Sequence, residues 1–139
     1  MSSGVAVNSE CLELFQEFKL RKKYKYIIFK LSDDNKEIVV EKTAPETATY
    51  DEFLQCLPAD EPRYAVYDFD YEKPDAGARN KITFYSWIPD TSKIRAKMLY
   101  ASSKDALRKN LVGLAIEIQG TDFSEVDYET ILDKALRSN

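Results

Sequence analysis

KITFYSWIPDTSKIRAKMLYASSKDALRKNLVGLAIEIQG, residues 81–120, decides the fold. In its first part Ile82, Phe84 and Ile88 share one face and Tyr85 and Trp87 the other, the two-residue period of a β-strand. Pro89-Asp90-Thr91 ends that run and can cap a helix spanning about residues 92–110. A short strand at 114–119 follows, between Gly113 and Gly120. Strand, helix and strand in that order imply a right-handed crossover and one parallel strand pair.

Upstream, residues 63–71 alternate Ala65, Tyr67, Phe69 and Tyr71 against Tyr64, Val66, Asp68 and Asp70, and a polar turn at 72–80 leads into the strand at 81. Residues 24–31 and 37–41 read as a hairpin around Asp33-Asp34-Asn35. Helical stripes recur at Cys11, Leu14, Phe15 and Phe18, and at Tyr50, Phe53, Leu54 and Leu57. The second of these helices starts on a Thr49/Glu52 capping box. A last helix, capped by Asp127 or Ser124, turns Tyr128, Ile131, Leu132, Ala135 and Leu136 inward. These segments predict an α+β (mixed α/β) fold. Its centre is a five-stranded mixed sheet, mostly antiparallel with one parallel strand, flanked by four main helices. A length of 139 residues suits one domain over 1–139, with residues 1–7 as a flexible N-terminal segment.

With 44% hydrophobic and 32% charged residues, the chain has enough apolar material for a packed core, which excludes disorder. There is no histidine, so the commonest general base and metal ligand are missing. The four glycines are not clustered, which excludes a phosphate-cradling loop. Cys11 and Cys56 lack metal-ligand spacing and read as reduced core thiols. The expectation is a non-enzymatic, monomeric binding protein without metal or cofactor. The formal charge of −4 argues against nucleic acid as a partner. The N-terminal MSSGVAV has no secretory character, and no apolar run approaches the roughly 20 residues a membrane span needs. A cytoplasmic protein, small enough to reach the nucleus, is expected.

Within this acidic chain the helix after Trp87-Ile88-Pro89-Asp90 is basic. It carries Lys93, Arg95, Lys97, Lys104, Arg108 and Lys109 against Asp105 alone. At about 100° per residue, Lys93, Lys97, Lys104 and Arg108 fall within roughly 60° of one another. Ala96, Leu99, Tyr100, Ala106 and Leu107 occupy another sector and face the sheet. Ile94 and Met98 belong to neither group and point outward beside the cations. One reading is a solvated charged face. Another is an apolar anchor ringed by cations, suited to an acidic protein surface. Phospholipid headgroups fit the charges without requiring Ile94 and Met98.

Six motifs occur in order along the chain: Ser3-Gly4-Val5, Arg63-Tyr-Ala-Val-Tyr-Asp-Phe-Asp70, Asn80-Lys81-Ile82, Trp87-Ile-Pro-Asp90, Lys97-Met-Leu-Tyr-Ala-Ser-Ser-Lys-Asp105 and Gln119-Gly-Thr-Asp122. In these the chain resembles the actin-depolymerising factor/cofilin family, in its compact fungal, amoeboid or plant form. The resemblance implies the actin-depolymerising factor homology fold and actin as partner, both monomer and filament. It also implies preference for ADP-bound subunits, severing and faster depolymerisation. By the same resemblance, Ser3, Gly4, Val5, Arg95, Lys97 and Met98 would contact the actin subunit. Arg79, Lys81, Asp133, Lys134 and Arg137 would make filament-specific contacts. Asp133-Lys134 stands where close relatives often have Glu-Arg, which loses bidentate geometry at the second position. Ser3 would be a phosphorylation site, where added negative charge opposes binding. Lys97, Lys104, Arg108 and Lys109 would hold phosphoinositide headgroups, with Lys22, Lys23 and Lys25 as a second cluster. Two alternatives stay open: a same-fold module binding the actin-related branching complex, and a phosphoinositide-binding membrane-surface protein.

Overall fold

A computed structural model of the chain describes residues 4–138. Its elements in order are β1 (Ala6–Val7), α1 (Ser9–Arg21), β2 (Tyr24–Leu31), β3 (Glu37–Pro45), α2 (Tyr50–Gln55), β4 (Arg63–Lys73), β5 (Gly77–Trp87), α3 (Ile94–Arg108), β6 (Ile116–Gly120) and α4 (Tyr128–Arg137), with a single 3-10 turn at Phe123–Glu125 before α4.

The strands form one sheet in the order β1-β3-β2-β4-β5-β6. β5 and β6 run parallel from Thr83↔Ile116 to Trp87↔Gly120, the pair that the strand–helix–strand order requires. A second parallel pair lies at the opposite edge, where Ala6 faces Glu37 and Val7 faces Ile38. The sheet therefore has six strands rather than five, and two parallel pairs rather than one. Part of the segment expected to be flexible is strand. Two residues show no alternation to read. The pairing comes from a distant edge, through Ala6 N–H to Lys36 O at 3.0 Å and Asn8 N–H to Ile38 O at 2.9 Å.

The two-residue strand period sorts the core into two layers. On one face Cys11, Phe15 and Phe18 of α1 and Tyr100 and Leu107 of α3 pack on Ile27, Phe29, Tyr64, Val66 and Phe84. On the other, Tyr50 and Phe53 of α2 and Ile131 and Ala135 of α4 pack on Tyr26, Ile28, Tyr67, Phe69, Tyr85 and Trp87. Three helices begin on side-chain caps. Asn8 accepts from Glu10 N–H at 2.9 Å, Thr49 from Glu52 N–H at 3.2 Å and Asp127 from Thr130 N–H at 2.8 Å. Gly120 is required where β6 meets α4's approach. A Cβ there would stand 2.7 Å from Val126 Cγ1 and 3.1 Å from the Trp87 ring.

Tyrosines supply most of the polar groups inside. The Tyr50 hydroxyl donates to Val126 O at 2.6 Å and lies 3.1 Å from the Tyr85 hydroxyl. Tyr64 donates to the Tyr100 carbonyl, while the Tyr100 hydroxyl accepts from Leu31 N–H at 2.9 Å. Burial pushes the phenols of Tyr26, Tyr50, Tyr64 and Tyr67 upward, and that of Tyr85 up to about 12. These phenols stay neutral in the folded state, whereas unfolded tyrosine ionises near pH 10. Their contribution is therefore complete below pH 10 and falls above it, by up to about 1.4 kcal/mol per pH unit for each buried phenol. The urea midpoint should drop steeply between pH 10 and about pH 12, with the phenolate absorbance of these buried tyrosines appearing together with unfolding. A flat midpoint across that range would contradict this.

Candidate functional site

The segment Trp87-Ile88-Pro89-Asp90 sets where α3 begins. The Trp87 indole N–H donates to Pro58 O at 2.7 Å, Ile88 N–H to Gly120 O at 2.9 Å and Asp90 N–H to Thr121 O at 3.2 Å. Thr91 Oγ1 donates to Ala59 O at 3.0 Å. The start of α3 is thus held by the β6 exit and the α2–β4 loop. The helix itself begins at Ile94, not near Ser92. Its N-cap is Lys93, which makes no side-chain cap bond. The entry is tertiary rather than local, so cap chemistry in the sequence placed it two residues early.

α3 buries Tyr100, Ser103 and Leu107. Ala96, Leu99 and Ala106, expected to face the sheet, are half-buried at its flank. Ile94 and Met98 are 73% and 67% exposed, as their place on the helical wheel implies. They border a groove of about 980 Å³ whose walls include Gly4, Val5, Asn35, Lys36, Arg95 and Leu99. Gly4 has φ +79, a left-handed conformation suited to glycine, and Val5 is buried. Ser3, the phosphorylation candidate, lies outside the described residues.

The cations along α3 differ in their freedom. Lys97 Nζ donates to Asp90 O at 3.0 Å, tying it to the helix entry. Arg108 Nε lies 2.5 Å from Glu117 Oε1 on β6. A hydrogen bond from Arg108 holds the Glu117 carboxyl below its ordinary value. Lys104 is half-buried and Lys109 exposed. Of the four proposed headgroup ligands, two already have partners. Lys22, Lys23 and Lys25 are likewise paired, with Asp68 at 3.6 Å, Glu17 at 3.3 Å and Asp70 at 2.6 Å.

Arg79 and Lys81 sit in a different place. β2 pairs with β4 only over Tyr64 to Tyr67, and β6 with β5 only over Thr83 to Trp87. Residues 68–73 and 77–82 therefore project beyond the sheet as a two-stranded ribbon. Arg79 is exposed on it. Lys81 points to the end of α4. Its Nζ donates to Ser138 O at 2.9 Å, to Ala135 O at 3.4 Å and to the Ser138 hydroxyl. Asp133, Lys134 and Arg137 are exposed on α4, with Asp133 and Arg137 paired at 3.1 Å.

Gly4, Val5, Arg95 and Met98 thus meet at the α3 groove, Arg79, Lys81, Asp133, Lys134 and Arg137 lie on the ribbon and α4, and Lys97, Lys104, Arg108 and Lys109 lie along α3 outside the groove lining. The reading from sequence missed Asn35 and Lys36 as groove walls. They reach it because β3 pairs with β1, a contact between residues far apart in sequence that carries no local signal. Among the described residues no group of three or more His, Cys, Asp or Glu is placed to hold a metal, and no helix is long and apolar enough to cross a membrane.

A family model described as Cofilin/tropomyosin-type actin-binding protein matches residues 4–136. The chain belongs to the cofilin/actin-depolymerising factor family. The cofilin of Mycosarcoma maydis is 65% identical over 138 residues, covering 99% of each chain. Cofilin-1A of Dictyostelium discoideum is 47% identical over 137 residues, again covering 99% of each. The crystal structure of Streptomyces griseoflavus cofilin matches with a TM-score of 0.91 and 57% identity, covering 98% of this chain and 100% of that one. The resemblance to the actin-depolymerising factor/cofilin family, in compact fungal, amoeboid or plant form, is therefore correct, the cofilins of Mycosarcoma maydis and Dictyostelium discoideum being fungal and amoeboid, and so is the mixed sheet with four helices. In this cofilin-family chain the most exposed apolar side chain of α3 stands beside the groove, not over the core.

Proposed function

We propose that this protein binds actin subunits and filaments, prefers ADP-bound subunits, severs filaments and speeds their depolymerisation, acting as a single domain without catalytic chemistry of its own. Membership of the cofilin/actin-depolymerising factor family supports an actin-binding, depolymerising function. The observation that carries the reading is the exposed Ile94–Met98 pair at a groove flanked by Arg95 and Lys36. Desolvated apolar anchors supply affinity, and surrounding cations steer an acidic partner into register. A net acidic molecule that keeps such a surface has a specific use for it. Ser3, Gly4, Val5, Arg95, Lys97 and Met98 form the subunit contact in this reading, and Arg79, Lys81, Asp133, Lys134 and Arg137 make up the filament surface.

Phosphorylation of Ser3 would add roughly −2 charge beside Gly4 at the groove wall and repel an acidic partner. Phosphoinositide headgroups would compete with actin through Lys97, Lys104, Arg108 and Lys109, with Lys104 and Lys109 carrying the charge not already paired. The protein would work as a monomer in the cytoplasm on the actin cytoskeleton, with access to the nucleus. The test is co-sedimentation with ADP-actin filaments together with microscopy of filament length. Co-pelleting and shortening are expected at micromolar protein. Absence of both would overturn the proposal.

A further inference from the structure

The C-terminal turn of a helix leaves carbonyls without intrahelical donors, and a cation is favoured there. In α4 Ser138 N–H bonds Lys134 O at 3.1 Å and the Ser138 hydroxyl donates to Ala135 O at 3.2 Å, while the cation is Lys81, which comes from β5, 57 residues away in sequence. Its ammonium has three donors. They go to Ser138 O at 2.9 Å, Ala135 O at 3.4 Å and the Ser138 hydroxyl, with the Tyr71 ring 6.0 Å away. All three donors are spent inside the molecule, so a direct contact to an outside partner would break the cap.

Full burial in α4 reaches only as far as Ala135. Ile131 and Ala135 are its buried residues, and beyond Ala135 both Leu136 and Arg137 are exposed. The Asp133–Arg137 pair at 3.1 Å lies within the helix. It orients Arg137 relative to α4 but not α4 relative to the ribbon. Among the described residues, Lys81 makes the side-chain hydrogen bonds that join the terminal turn to the strand that carries Arg79.

We propose that Lys81 is a positioning residue of the filament surface: it fastens the last turn of α4 to β5 and so sets where Lys134 and Arg137 stand relative to Arg79. This rests on the actin-filament reading above. Lys81 acts through α4, and the filament reads the spacing it imposes.

The experiment is a double-mutant cycle on filament affinity. Its variants are Lys81→Met, which keeps the apolar stem and removes the donors, Lys134→Ala/Arg137→Ala, and all three substitutions together. Amide exchange is followed in the free proteins. Lys81→Met should speed exchange of the Ser138 amide, which bonds Lys134 O at 3.1 Å, and weaken filament binding about tenfold. Monomer affinity should stay within about twofold. Positioning predicts non-additivity: once Lys134 and Arg137 are gone, adding Lys81→Met should weaken filament binding by no more than about twofold further. Additive losses mean that Lys81 touches the filament itself and overturn the proposal, as does unchanged exchange at Ser138. If the parent chain binds no filament, the functional reading fails, while exchange still decides whether Lys81 holds α4.

Discussion

Replacing Arg95 and Lys97 together by alanine should remove actin binding, of monomer and filament alike, and leave thermal unfolding almost unchanged. Arg95 is exposed at the groove mouth, beside Ile94 and Met98. Lys97 is half-buried and fastened to Asp90 O at 3.0 Å, so its charge is held at the head of α3 with part of its conformational entropy already lost. Arg95 and Lys97 adjoin the apolar anchor, and loss of hot spots at the centre of an interface costs about 2–4 kcal/mol, roughly 30- to 1,000-fold in affinity. Neither side chain belongs to the core. The effect on stability should stay within about 0.5 kcal/mol, apart from the small cost of the lost Asp90 bond. Titration of fluorescent actin monomer and filament co-sedimentation measure the first quantity, and a melting curve the second. Parental affinity in the double variant would move the binding surface away from α3. A large drop in melting temperature would reassign both residues to the fold.

Phe53→Ala should have the largest effect on stability. α2 is a short helix that buries two side chains, Tyr50 and Phe53. Phe53 is fully buried, and its ring centroid lies 5.2 Å from Tyr26, 5.4 Å from Tyr50, 5.0 Å from Tyr67 and 4.9 Å from Tyr85. Those rings belong to three strands and α2 itself, so truncation opens a cavity that no single neighbour can close. Phenylalanine-to-alanine changes in cores cost about 3–5 kcal/mol, a large share of the 5–15 kcal/mol that a domain typically has. The urea midpoint should fall accordingly at an unchanged slope. Actin monomer affinity per folded molecule should remain, because the groove lies on the opposite face of the sheet, against α3. A loss below about 1 kcal/mol would show that the aromatic cluster repacks around the gap.

Much of the fold was legible because its determinants are local. The alternation through Tyr64–Tyr71 and Ile82–Ile88 assigned side chains to the two faces correctly, since successive residues of any strand must point opposite ways. Thr49 and Asp127 act as caps, as their chemistry implies. β1 was not legible, because two residues cannot show a period, and neither was the start of α3, because its entry is bonded to Gly120, Thr121, Pro58 and Ala59 rather than capped by its own neighbours.

The sequence by itself determined the strand–helix–strand core of residues 81–120, the family, and the outward direction of Ile94 and Met98, all of which follow from periodicity and motif order. Only the tertiary structure decided which basic residues are free. On the helical wheel Lys97, Lys104 and Arg108 are equivalent cations. In space Arg108 meets Glu117 and Lys97 meets the Asp90 carbonyl, while Lys104, among the described residues, acts on Glu117 only through its charge. Lys81 reads in sequence as an exposed lysine beside Arg79, yet it closes the end of α4. A charge's availability depends on what lies within a few ångströms of it. Those neighbours come from strands and helices far apart in the chain, which no local pattern can reveal.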